Sequence, residues 1–136
     1  MPLQKRIKLT GVSYKISQNS YALGGFQLKF TNDVQSPLIQ TKNCKEVQHI
    51  EIDPARVIKQ VHVMADGYGK IFGLKMTDSE GAEIFNATFG YNNANWQIRE
   101  IPEDQEIIGF YCNSNDFYYM KSLGFITWKP NPEAIQ

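Results

Sequence analysis

An all-β fold is predicted by three features of this sequence. Six short runs alternate apolar and polar residues with a period of two. Glycine, asparagine, serine and aspartate separate the runs, and these are the residues that tight turns favour. No stretch sustains the spacing of an amphipathic helix.

The runs are taken in chain order. GVSYKI (11–16) and GGFQLKF (24–30) open the chain, and VQHIEI (47–52) follows a polar connection. VIKQVHVMA (57–65) and KIFGLKM (70–76) form the next pair, and IIGFYC (107–112) begins the last. Asp53-Pro54 allows at most one turn of helix. DGYGK (66–70) is a turn, because its glycines and lysine lack the strand-to-helix setting of a phosphate loop. DSEG (78–81) is a hairpin turn without the ligand spacing of a calcium loop. FGYNNANW (89–96) reads as a polar-aromatic loop.

A repeat lies under these runs. Leu23, Phe26 and Leu28 recur as Ile71, Leu74 and Met76 after 48 residues, then as Met120, Leu123 and Phe125 after a further 49. Val12 and Tyr14 match Val61 and Val63, then Phe110 and Cys112. Leu3 and Leu9 match Ile52 and Ile58, then Ile101 and Ile107. Each unit is a lead-in and a hairpin. The first two units add an outer strand pair, whereas the third stops at Trp128-Lys129-Pro130. Three repeats of about 48–49 residues predict a pseudo-threefold β-prism, with a β-trefoil as the alternative. The domain is expected over 1–130, with a tail over 131–136. The unpaired edge of the third unit invites an added strand, from an oligomer or a larger assembly.

Composition excludes several function classes. A chain of 136 residues makes one domain with a real core. Fourteen basic and fourteen acidic residues cancel, against nucleic-acid binding. Lys5, Arg6 and Lys8 alternate with apolar neighbours and read as one face of a strand. No apolar run has the length of a signal peptide or a membrane span, so membrane insertion is not expected. A cytoplasmic or other intracellular location is expected, provided the chain is not part of a longer one. The isolated Cys44 and Cys112 are expected as buried thiols, with a disulfide as the alternative. His49 and His62 read as partly exposed strand residues. No nucleophile–base order, metal-ligand spacing or paired carboxylates occur, so no enzyme, metal or cofactor is expected. Asn86-Ala87-Thr88 fits a glycosylation sequon, expected to be unused inside the cell.

Recognition is the chemistry that remains. Under threefold symmetry the hairpin tips share one end of the molecule. They carry Asn19 and Tyr21, then Asp66 and Tyr68, then Asn113, Asn115, Asp116, Phe117, Tyr118, Tyr119 and Lys121. Amides and carboxylates pair with sugar hydroxyls, while an aromatic face covers the apolar side of a pyranose. Tyrosine and phenylalanine suit a protein partner equally. Phe117, Tyr118 and Tyr119 are consecutive, so alternation leaves at least one ring exposed.

Ile108-Gly109-Phe110, Ser122-Leu123-Gly124-Phe125 and the LKFTNDVQSPLI run (28–39) resemble the corresponding segments of jacalin-related lectins. The resemblance implies a β-prism and metal-independent binding of saccharides by loops at one end. In that family the sugar loop is a glycine, three residues and an aspartate. Here the two positions hold Phe117 and Lys121, and the equivalent aspartate positions hold Phe72 and Gly24. Gly24-Gly25 resembles the family's glycine-rich loop. The expectation is a carbohydrate-binding module acting through its hairpin tips. The alternative is an intracellular structural or protein-interaction subunit that has kept the fold and lost the sugar.

Overall fold

The computed structural model describes residues 7–18, 21–41, 44–67, 69–88, 95–113 and 120–129. In chain order the strands are β1 (Leu9–Ile16), β2 (Leu23–Phe30), β3 (Ile39–Gln40), β4 (Gln48–Glu51) and β5 (Ile58–Ala65). They continue as β6 (Ile71–Asp78), β7 (Glu83–Thr88), β8 (Asn95–Glu100), β9 (Glu106–Asn113) and β10 (Lys121–Trp128). Helical structure among the described residues is one 3-10 turn at Thr31–Asp33, and Asp53-Pro54 enters a plain turn. Asn95 and Trp96, expected in a loop, begin β8.

Three antiparallel sheets make a β-prism. The first has the order β3-β2-β1-β4, the second β7-β6-β5-β8, and the third β10-β9. The first two are the same four-stranded plan, and the third lacks outer strands among the described residues.

The hairpins also share their irregularities. Near the base, one extra residue interrupts each ladder: Thr10 in β1, Lys59 in β5 and Ile108 in β9. Near the tip, Gly24 in β2 and Phe72 in β6 are extra, and β10 has one extra residue between Lys121 and Gly124. Bulges bend a strand and tighten its twist. Lead-in residues meet the base bulges: Ile52 donates its N–H to the Thr10 carbonyl at 2.8 Å, and Ile101 to the Lys59 carbonyl at 2.7 Å.

The core lies where the inner faces converge. Val12, Phe26 and Leu28 come from the first sheet, Val61, Leu74 and Met76 from the second, Ile107 from the third. Phe26 is fully buried and meets Phe110 edge to face, centroids 4.8 Å apart, and Phe125 at 6.1 Å. At the tips, Ala22 packs with Met64 and Phe72 in a second apolar cluster. The Met120 N–H donates to the Leu23 carbonyl at 2.8 Å. The tips of the first and second hairpins, and the first and third, are therefore tied at one end.

Two expectations need correction. The cysteines are free thiols but half-buried: Cys44 donates to the Gly24 carbonyl at 3.3 Å, and burial pushes the Cys112 thiol up. His49 is exposed as expected, with Nδ1 2.7 Å from Ser13 Oγ, whereas His62 is buried. Burial, then the Lys75 charge, push the His62 pKa down.

Phe26→Ala should lower stability by about 3–5 kcal/mol, because two rings of the third sheet lose their common neighbour in the first. A urea midpoint shifted by under ~1 kcal/mol would contradict this packing. The second prediction concerns acid. Arg56 Nη2 donates to Asp78 Oδ2 at 2.8 Å, and with the Ala82 and Glu80 N–H groups holds that carboxyl below the usual range. A carboxyl lowered by folding stabilises fully above its unfolded pKa, and the effect is lost as pH falls through the lowered value. Urea unfolding across acid pH should show a smaller acid loss in Asp78→Asn than in the native chain; equal losses would contradict the pairing.

Candidate functional site

Hairpin-tip residues are the starting point. Asn19, Tyr68, Asn115, Asp116, Phe117, Tyr118 and Tyr119 lie outside the described residues. Asn113 and Lys121 pair across β9 and β10, and only their backbones are described. Tyr21 and Asp66 are described in full.

Tyr21 is exposed and has a left-handed backbone, φ 59°. Such a conformation costs a non-glycine residue roughly 1 kcal/mol, which the surrounding turn must supply. Part of that support is its N–H, which donates to the Ser17 carbonyl at 3.0 Å. The Lys45 ammonium lies 4.6 Å from the ring centroid, so one face is already covered by a cation.

Asp66 closes its own turn. Its Oδ1 accepts the Lys70 N–H at 2.9 Å, and its own N–H donates to the Lys70 carbonyl at 3.0 Å. The carboxylate expected to meet ligand hydroxyls therefore spends one oxygen on the hairpin. Gly24 offers no cradle either: a Cβ there would stand 2.8 Å from Cys44 Sγ, so the space is filled from within.

Asp66 does stand at the rim of a larger feature. Between edge strands β8 and β10 runs an open cleft of about 640 Å³. One wall is Gln97 and Arg99 of β8, whose side chains share the strand's inward face with buried Ile101. The other wall is Ser122, Leu123, Gly124, Phe125 and Thr127 of β10, with Tyr111 reaching in from β9. The floor is apolar, from Val61, Val63 and Ile71.

Two backbone features shape that second wall. Gly124 lies opposite Tyr111, and a Cβ on it would fall 2.2 Å from the Tyr111 Cζ atom. Only glycine lets the phenol ring lie across the strand there. Tyr111 is 61% exposed, its ring against the Gly124 backbone on one side and open to the cleft and solvent elsewhere. Next to it, Ser122 has φ 55° where the ladder bulges, the second non-glycine strain at this end of the molecule.

A further large aromatic near this end, Trp96, is less available. Trp96 of β8 is half-buried on the outer face, edge-on to His62, with Lys75 Nζ 5.0 Å above its ring. No cation covers Tyr111 among the described residues. The sequence reading placed recognition on the tip loops and missed Tyr111, Gln97, Arg99, Ser122 and Thr127. The missed signal is the pairing of Tyr111 with Gly124, which needs the strand register to be visible.

Among the described residues no three His, Cys, Asp or Glu side chains cluster to hold a metal ion. No helix of the described chain is long and apolar enough to cross a membrane.

No protein-family profile matches the chain, and no curated sequence matches it. Solved structures do. One is a prostate-specific WGA16 glycoprotein lectin, with TM-score 0.67 at 12% identity, over 96% of this chain and 89% of the lectin. Another is PirB, with TM-score 0.69 at 19% identity, over 99% of this chain but only 32% of PirB. At these identities the likeness is one of fold. The chain has a lectin-like, all-β fold.

Proposed function

We propose that this domain is a non-enzymatic carbohydrate-binding module of jacalin-like type, with the cleft between β8 and β10 as its binding site. The observation that carries this reading is the Tyr111 ring, laid on Gly124 and open toward a cleft edged with polar groups. An exposed ring offers a flat apolar face to the C–H side of a pyranose. Gln97 and Ser122 supply donors and acceptors for hydroxyls, and Thr127, whose own hydroxyl donates to Gln105 Oε1, offers an acceptor. The likeness to a lectin supports the reading at the level of fold. The hairpin tips would extend the site, with Asp66 already at its rim.

A second reading rests on a different observation. Among the described residues β9 and β10 pair only with each other, and Ile126 and Trp128 of β10 are exposed. A free edge beside apolar side chains suits strand addition by a protein partner.

The test is a glycan array of the purified domain beside Tyr111→Ala and Gly124→Ala. The second variant keeps the ring but drives it off its seat. Both variants should lose about tenfold or more in affinity for whatever saccharide the native domain binds, about 1.4 kcal/mol. A blank array from folded protein overturns the carbohydrate reading and leaves the edge-strand reading. Binding unaffected by both variants would move the site away from this cleft.

A further inference from the structure

One side chain in the cleft departs from the plan of the fold. β8 stands to β5 as β4 stands to β1: Arg99 lies opposite Val61, and Ile50 lies opposite Val12. Ile50 packs against the core, as an inward position on an edge strand should. At the matching place the second sheet carries a guanidinium.

That guanidinium has no counter-ion among the described residues. Arg99 is exposed to the cleft, and among the described residues its Nη1 donates only to the neighbouring Ile98 carbonyl at a long 3.4 Å. Among the described residues no carboxylate pairs with it. The acidic groups of the cleft are occupied: Asp66 Oδ1 accepts the Lys70 N–H, and Glu100 Oε1 accepts from Gln60 Nε2 at 3.4 Å. The exposed guanidinium is solvated, and because guanidinium holds its water weakly an incoming anion can displace it. The planar fork of an arginine fits a carboxylate or sulfate through two parallel hydrogen bonds.

We infer that the cleft takes an acidic saccharide, with its carboxylate or sulfate seated on Arg99 while Tyr111 carries a neighbouring ring. The inference rests on the carbohydrate reading and adds the charge of the ligand to it. Gln97 on the same strand face and Thr127 across the cleft would meet adjoining hydroxyls. A neutral sugar would fill the cleft and leave the guanidinium as it stands in the free protein.

Calorimetry tests this with three oligosaccharide probes of equal length. A hyaluronan fragment carries carboxylates alone, a chondroitin sulfate fragment carries carboxylates and sulfates, and a chitin fragment is neutral. The variants are Arg99→Ile, which installs the residue of the matching strand, and Arg99→Gln. At least one acidic probe should bind about tenfold or more tightly than the neutral one, and added salt should weaken it. Both variants should lose that preference, and Arg99→Ile should melt no lower than the native domain. Which acidic probe leads separates a carboxylate seat from a sulfate seat. Acidic probes that bind both variants as tightly as the native domain overturn the inference, and so does equal binding of acidic and neutral probes; both leave the carbohydrate reading standing. No binding of any probe, together with a blank glycan array, overturns both.

Discussion

The contact on which this molecule depends is Phe26 between the rings of Phe110 and Phe125. A two-stranded sheet has too little area to be stable alone, and a single four-stranded sheet leaves one apolar face in water. Facing inward together, three sheets bury all three faces at once. Phe26 belongs to the first sheet and its two partners to the third, so this one group joins the start of the chain to its end. Edge-to-face geometry adds to the burial, because the ring edge of one aromatic meets the negative face of another. Everything nearer the surface, including the register of β10 that places Gly124 under Tyr111, is held against that centre.

The cleft follows from asymmetry in an otherwise regular plan. Where the first sheet closes its edge on the core with Ile50, the second opens with Arg99. The third sheet sets a bulged edge strand across from it, so two strand edges face each other across open space. Polar groups can line such a gap without loss of core, because water already reaches them. The proposed site therefore lies at the seam between sheets, where the third sheet has two strands among the described residues and the others have four.

The sequence made the strands legible because a half-buried strand must alternate, and six such runs did. The three hairpins were legible for the same reason: residues such as Leu28, Met76 and Phe125 share one spacing because they share one inward face. Burial of His62 was not legible, since alternation places it on the outer face and only the neighbouring side chains cover it there. The site was less legible still. Alternation alone puts Tyr111 on an outer face and says nothing of the glycine that lies opposite it on the paired strand. Arg99 looks like one more charge in WQIREI until its partner strand shows that it stands on the inward side. The tip residues chosen from composition were reasonable as chemistry. Of those described, though, Asp66 serves its own turn and Tyr21 already has a lysine over its ring.

The bond from Met120 to Leu23 has a consequence in time as well as in space. It closes the structure between segments near opposite ends of the chain, and the Phe26 cluster does the same. Contacts of such long sequence separation must bear the entropy of a large loop before they stabilise anything. A ribosome making this domain would present two finished-looking hairpins, each with an apolar face and no third wall, until β10 emerged. Folding of the domain would then complete once β9 and β10 were made, and the first two sheets would need protection from premature pairing until that point.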